Sequence, residues 1–363
     1  MSYIASIGLA ELPYKMNQHD IKVLSKEIFS NKKSPFKHVM SVFDNAKINE
    51  RQLSAPSSWY KENHSFNERN DLYHSLAIEY SLHAIDHCLK NKQLLNGEIP
   101  YEAIDMIIYI SSTGISTPSI DTYIMNERPF KSSVIRMPLW GLGCAGGAMG
   151  LSRAFEWIQL HKDKTALIIC CELCSLTFQK DDQSISNIVG TALFGDGVAA
   201  ALVVGEDSPY KKYCKKEKMK IRHTSSWTEK GTTNIMGWEL INSGFKVIFN
   251  KRIPKLVQTL WKKHVGKFLN EQKLLVEDIA TFIAHPGGRK VLEEMEMAFS
   301  LDPYKLTHSY DVLYDHGNMS SVTVLYVLAR RMLEGNKYQN KNEIICALGP
   351  GFSSELLLVE WGR

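Results

Sequence analysis

Three residues of this chain have types and settings that could do covalent chemistry together. Cys144 lies in "WGLGCAGGAMG" (140–150), among glycines and just ahead of a run whose apolar positions Met149, Leu151, Phe155, Ile158 and Leu160 suit a mostly buried helix. A sulfur at a helix N-terminus meets unpaired N–H groups and the positive end of the helix dipole, which lowers a thiol pKa. A small structural cysteine in a tight turn would give the same isolated motif. His285, in "AHPGG", follows an apolar strand and precedes a proline-glycine turn. Its imidazole could pair with a thiolate and donate to a substrate oxygen, or simply hydrogen-bond at a strand end. Asn318, in "HGNMSS", could cap the following helix or donate its amide N–H to a developing oxyanion. His316 is a rival histidine two residues earlier.

Spacing brings these residues together. Ser111 and Cys144 are 33 residues apart, as are His285 and Asn318, and both offsets between the pairs are 174. "IDMIIYISSTG" (104–114) and "IATFIAHPGG" (279–288) are both apolar runs that end on small or glycine residues. "GLGCAGGAMGLSRAF" (141–155) and "DHGNMSSVTVLYVLAR" (315–330) both pass from a glycine turn into a helix. "IIC" recurs at 168–170 and 344–346, an offset of 176. Ordered repetition over this distance predicts a duplicated βαβ-type architecture, divided into 1–209 and 210–363. Buried strands alternating with helices imply mixed sheets covered by helices. Equivalent loops of two such halves meet at their interface, so His285 is favoured over His316 because it holds the repeat-related position. The register also turns Cys144 from a structural residue into a candidate nucleophile.

Composition narrows the remaining classes. With 44% hydrophobic and 23% charged residues the chain has the make-up of a globular protein, and no apolar stretch reaches the ~18 residues of a membrane span. The opening "MSYIASIGLAELPYK" lacks a basic leader and reads as a strand and a turn. A net charge of +4 does not point to nucleic acid. Seven cysteines without framework spacing fit a reducing compartment, the cytoplasm, and "CCELC" (170–174) has no second pair to complete a metal site. The basic run "KKYCKKEKMKIR" (211–222) is expected to be a solvated linker or a lysine-protected edge strand.

Five motifs in order, "WGLGCAGGAMGLSRA", "LFGDGVAAALVVG" (193–205), "AHPGG", "HGNMSS" and "ALGPGFSSELLL", resemble those of the type III polyketide synthases, the chalcone-synthase-like group of the thiolase superfamily. The resemblance spans essentially the whole chain. "SSTGISTPSID", "ELCSLTF" and "MGWELINSGFKVIF" are similar to the bacillus-type members that make alkylpyrones. It implies an α/β, thiolase-like duplicated αβαβα fold, a cytoplasmic homodimer, and no metal or redox cofactor. Cys144 would accept a starter acyl group, fatty by preference, from coenzyme A. His285 would keep the thiolate ionised. With Asn318 it would bind the malonyl-CoA carbonyl while CO2 leaves, and the enolate would attack the acyl thioester.

The same resemblance makes Phe194 a gatekeeper between the coenzyme A tunnel and the cavity. Cys174 and Thr177 would line that cavity, and Cys174 replaces a threonine of the plant enzymes. Val247 takes the place of a second gatekeeper aromatic, with Phe245 nearby. Thr117 replaces a methionine that in plant enzymes reaches into the partner's cavity. Lys37, Lys47 and Arg51 would hold coenzyme A phosphates, the Gly287–Gly288 backbone would contact substrate, and Pro350 belongs to the C-terminal "GPG" of the substrate-binding set. The alternative enzyme is a ketoacyl-synthase-III-like condensing enzyme using malonyl on a carrier protein. A thiolase would need a second catalytic cysteine, and Cys346 reads as part of a buried strand. A non-catalytic acyl-binding relative would not need all three candidate residues intact.

Overall fold

Strands buried at every position, such as "TALIICCEL" at Thr165–Leu173, must be covered on both faces, and the fold is organised around that need. The structure is a computed structural model that describes residues 1–29, 39–338 and 341–362. Its strands in chain order are β1 (Ser2–Leu9), β2 (Tyr14–Asn17), β3 (Glu50–Leu53), β4 (Met106–Ser111), β5 (Ile135–Trp140), β6 (Thr165–Leu173) and β7 (Asp196–Gly205). They continue as β8 (Lys218–Thr228), β9 (Met236–Ile241), β10 (Gly244–Phe249), β11 (Ile279–Ala284), β12 (Asn342–Gly349) and β13 (Ser353–Gly362). Nine of them form one hydrogen-bonded sheet in the order β11-β12-β13-β8-β1-β7-β6-β4-β5.

That order shows the duplication directly. From the β1–β8 seam outward, one side runs β1-β7-β6-β4 and the other β8-β13-β12-β11, and each has two antiparallel pairings followed by a parallel one. The seam is short, pairing Ser2, Tyr3 and Ile4 with Ile221, Lys220 and Met219. The 33-residue interval is filled differently in the two halves. Helix Ile120–Glu127 and edge strand β5 follow β4, whereas helices Arg289–Phe299 and Thr307–His316 follow β11.

Side-chain alternation along the strands sets the layers. Ile108, Ile110, Ile168, Ile345 and Ala347 turn inward onto two central helices, Gly146–Leu160 and Thr323–Leu333. On the outer face of the first half, Ile107, Tyr109, Leu167 and Ile169 meet helix Phe66–Lys90. In the second half, Phe282, Ile344 and Cys346 pack against Trp261, Phe268 and Leu292 of the outer helices. The result is the expected αβαβα stack.

One expectation needs correction. Residues 211–217 of the basic run form the linker before β8, but the part within β8 is not an edge strand, because β8 is interior, between β1 and β13. Its charges are instead countered across the sheet, with Arg222 and Lys220 at 2.9 and 3.5 Å from Glu360. All seven cysteines are free.

The central helices touch where a side chain would block them. A Cβ on Gly147 would lie 2.2 Å from the Ser321 carbonyl oxygen and 2.7 Å from Val324 Cγ1. Gly147→Ala should therefore cost about 3 kcal/mol, the upper end for overpacking, read as a lower urea midpoint. An unchanged midpoint would show that the helices do not press together there.

Candidate active site

The duplicated architecture carries the start of each central helix to the middle of the molecule. Cys144 sits in the turn Gly143–Ala145, between β5 and helix Gly146–Leu160. Asn318 sits just before the short turn Ser320–Val322 that leads into helix Thr323–Leu333. The half-buried Cys144 places its Sγ 3.9 Å from Asn318 Oδ1. Residues 174 apart in sequence thus become neighbours.

Asn318 makes the capping contact expected of it. Its Oδ1 accepts the Ser320 N–H at 2.8 Å, closing the turn as a cap does. That orients the amide nitrogen the other way, where Nδ2 donates to the Gly287 carbonyl at 3.1 Å. The Asn318 backbone is also held: its N–H donates to Leu193 O at 2.9 Å, and Gly195 N–H donates to Asn318 O at 3.0 Å. Phe194 and Asn318 thereby form a bridge of parallel sense.

His285 ends β11, with its backbone N–H on Cys346 O at 2.8 Å. It is 2% exposed, and neither ring nitrogen has a hydrogen-bond partner among the described residues. A buried imidazole without partners is costly to fold around, which sets it apart from an ordinary strand-end histidine. His316 is satisfied elsewhere: Nδ1 lies 2.9 Å from Gln52 Nε2, Nε2 lies 3.4 Å from Arg330 Nη2, and the ring packs edge-on against Tyr326.

Burial acts on Cys144 and His285 separately, in each case against the charged form. Burial pushes the Cys144 thiol up to about 12, although contacts with Ser320 and Asn318 act the other way. Burial also takes His285 down to about 3. Both shifts favour the neutral forms, because desolvation disfavours the charged ones. Glu172 adds to this. It is fully buried on β6, accepting Ser321 Oγ at 2.6 Å and Ser112 N–H at 3.0 Å, and burial pushes its carboxyl up to about 7. Ser112 Oγ in turn accepts Gly143 N–H at 3.2 Å, which links this carboxyl to the turn before Cys144. Sequence reasoning did not single out Glu172; its signal is a lone acid inside a wholly apolar strand.

Beside this cluster lies a cavity of about 640 Å³ including its open mouth. Phe194, Cys174 and Thr177 line it, as the sequence reading expects. Val247 does too, and the aromatic missing there stands directly across the hairpin: Trp238 pairs with Val247, and its ring lies 5.9 Å from that of Phe194. Alternation in the β9–β10 hairpin could have located it. A second wall also escaped notice. Ile21, Leu24 and Ile28 recur at helical spacing along one face of helix Gln18–Phe29 and line the cavity.

The other expected residues fall in varied places. Pro350 packs beside Gly143, where an added Cβ would meet its ring at 2.8 Å. Thr117 is exposed on a loop and does not line the cavity, and Gly287 and Gly288 follow His285 after Pro286. Lys47 is exposed, and Lys37 lies outside the described residues. Arg51 needs correction. It borders the cavity but is 0% exposed, with Nη1 donating to Phe194 O at 2.8 Å and Nη2 to Gln18 Oε1, so its guanidinium is not at the outer surface where a coenzyme A phosphate would be expected. Among the described residues there is no cluster of three or more His, Cys, Asp or Glu able to hold a metal ion.

Comparison with known proteins agrees with this arrangement. Residues 48–208 match the family described as chalcone and stilbene synthases, N-terminal domain, and residues 226–361 match its C-terminal domain. A chalcone-synthase-type protein of Bacillus subtilis (strain 168) is 43% identical over 363 residues, covering 100% of both chains. A 1,3,6,8-tetrahydroxynaphthalene synthase of Streptomyces peucetius subsp. caesius is 30% identical, covering 99% of this chain and 93% of its own. The crystal structure of 1,3,6,8-tetrahydroxynaphthalene synthase from Streptomyces coelicolor A3(2), a bacterial type III polyketide synthase, superposes with a TM-score of 0.88 at 24% identity over 99% of both chains. The chain therefore belongs to the chalcone and stilbene synthase family, the type III polyketide synthases, acyltransferases that join coenzyme A thioesters by decarboxylative Claisen condensation without a cofactor.

Proposed function

We propose that this enzyme loads a fatty acyl starter from coenzyme A onto Cys144 and extends it with malonyl-CoA to alkylpyrone-type products. The observation that carries the choice of starter is the cavity wall. Ile21, Leu24, Ile28, Leu53, Phe178 and Val247 offer a linear alkyl chain apolar contact along its length. Cys174, in place of a threonine, removes a hydroxyl from the same wall. Each methylene seated there contributes about 0.8 kcal/mol, or roughly fourfold in affinity.

The proposed chemistry uses the neutral pair. The Cys144 thiol passes its proton to His285 as sulfur attacks the starter thioester carbon. Collapse of the adduct breaks the carbon–sulfur bond to coenzyme A, whose thiolate takes that proton. Malonyl-CoA then loses CO2, and the electron pair of the broken carbon–carbon bond moves onto the thioester oxygen as an enolate. His285 N–H and Asn318 Nδ2–H face that oxygen. A neutral imidazole suits this step, because an imidazolium would protonate the enolate carbon. The enolate carbon attacks the acyl-Cys144 carbonyl, the carbon–sulfur bond breaks, and Cys144 leaves as a thiolate that takes a proton from solvent before the next round.

Other assignments belong to the same proposal. The halves divide at 209/210, supported by family matches that end at 208 and resume at 226. Lys47 and the Gly287–Gly288 backbone are placed at the coenzyme A entrance. Homodimerisation through edge strand β5 is supported by Ile135 and Trp140, 46% and 57% exposed at the end of the sheet, with Thr117 on the adjoining exposed loop. A cytoplasmic location fits seven unpaired cysteines, and no described helix is long and apolar enough to cross a membrane.

Mass spectrometry of products from C4 to C18 acyl-CoAs with malonyl-CoA and no carrier protein tests the starter. Turnover efficiency should climb with chain length until the cavity is filled and give pyrone masses. Product only from carrier-bound malonyl, or a preference for aromatic starters, would sink the proposal. Cys144→Ala should abolish polyketide yet retain malonyl-CoA decarboxylation. Replacing His285 or Asn318 should lower that decarboxylation by about 10²–10³. Equal loss on replacing Cys144 alone would contradict this division of labour. Because the thiol is held up near 12, alkylation of Cys144 should quicken about tenfold per pH unit from pH 6 to 9, tracking the thiolate fraction. A rate that is flat over that range would show a preformed thiolate instead.

A further inference from the structure

Among the described residues, Arg51 is a buried cation whose hydrogen bonds go to neutral oxygens, the Phe194 carbonyl at 2.8 Å and the Gln18 side chain, while its Nε has no partner. The carboxylate that counters it electrostatically, Asp196, is itself bonded to Ser54 and Ser175. Burial lowers the guanidinium pKa to about 9. Such a charge is costly to bury, and an apolar side chain could fill the same space. What an apolar side chain cannot supply is a rigid fork of donors.

That fork sits where three parts of the site converge. The Arg51 stem is wedged between the Phe194–Gly195 and Gly317–Asn318 peptides. A Cβ on Gly195 would lie 3.0 Å from Arg51 Cβ, and one on Gly317, which has φ +67°, would lie 3.6 Å from Arg51 Cδ. The peptides around Phe194 are therefore held from two sides. Leu193 O and Gly195 N pair with the Asn318 backbone, and Phe194 O receives Arg51. Gln18 carries the connection onward, its Nε2 donating to Phe43 O and Ala192 O, both at 3.0 Å. Gln18 also begins the helix whose Ile21, Leu24 and Ile28 wall the cavity.

We propose that Arg51 is a positioning residue that locks the Phe194 peptide against the Asn318 loop and ties both, through Gln18, to the cavity-wall helix. The inference rests on the role proposed above for Asn318 and on the gatekeeper role that the family resemblance implies for Phe194. One side chain would then set both where the Asn318 amide points and how the acyl chain passes Phe194.

The test compares wild type with Arg51→Lys, Arg51→Met and Gln18→Leu. It reads the malonyl-CoA decarboxylation kcat and KM without starter, the product-length distribution with starter, and the thermal midpoint. Arg51→Lys keeps the charge but loses the fork. It should lower the decarboxylation kcat about 10- to 100-fold, as misplacement of a catalytic group does, with KM little changed, and Arg51→Met should do the same. Gln18→Leu should lower kcat at least threefold and shift product lengths. A folded Arg51→Lys enzyme within threefold of wild-type kcat overturns the proposal. So does a raised KM at unchanged kcat, which would return Arg51 to coenzyme A binding. Should both Arg51 variants fail to fold, Gln18→Leu decides alone, and wild-type kcat and products in it refute the coupling. Wild type lacking decarboxylation, or an Asn318→Ala enzyme retaining it, would instead count against the proposed function itself.

Discussion

The contact on which the rest depends is the approach of two central helices, Gly147 against Ser321 and Val324. Each helix starts beside one candidate residue, Cys144 or Asn318, and each lies between the two halves of the sheet. Their closeness puts sulfur and amide 3.9 Å apart. A side chain at Gly147 would separate the helices and therefore the site. Small residues here serve geometry more than flexibility, because they let two backbones come within contact distance inside a filled core.

Burial then decides the chemistry of the pair. The same packing that brings the residues together removes water from them, so Cys144 rises and His285 falls toward neutral forms. The buried carboxyl of Glu172 works in the same direction on the sulfur. Charge is disfavoured where nothing solvates it, and the strongest donors are best kept for a charge that forms during reaction. The capped Asn318, with Oδ1 committed to Ser320 and Nδ2 turned toward Gly287, fits that economy.

Beyond the central pair, the cavity is assembled from segments far apart in sequence: a helix at 18–29, a turn at 174–177, Phe194 and a hairpin at 236–249. Arg51 is the side chain that joins several of these pieces. Its burial distinguishes it from Lys47, which is exposed.

Much was legible beforehand because repetition is a property of sequence. The 174-residue register located Cys144, His285 and Asn318 at equivalent loops, and the 176-residue offset of "IIC" matched β6 to β12 as repeat equivalents, each with a parallel neighbour, β4 or β11. Alternating apolar residues revealed strands covered on both sides. Cross-chain relations were not legible. Trp238 opposite Val247 depends on hairpin register, the wall made by Ile21 and Leu24 depends on where a helix docks, and β8 proved interior although its lysines resemble edge protection. The sequence by itself determined the repeat, the layers and the identity of the candidate trio. Tertiary structure alone decided their ionisation, the neighbours of Arg51 and the lining of the cavity. Periodicity is carried by each segment separately, whereas desolvation and contact belong to atoms brought together from distant parts of the chain.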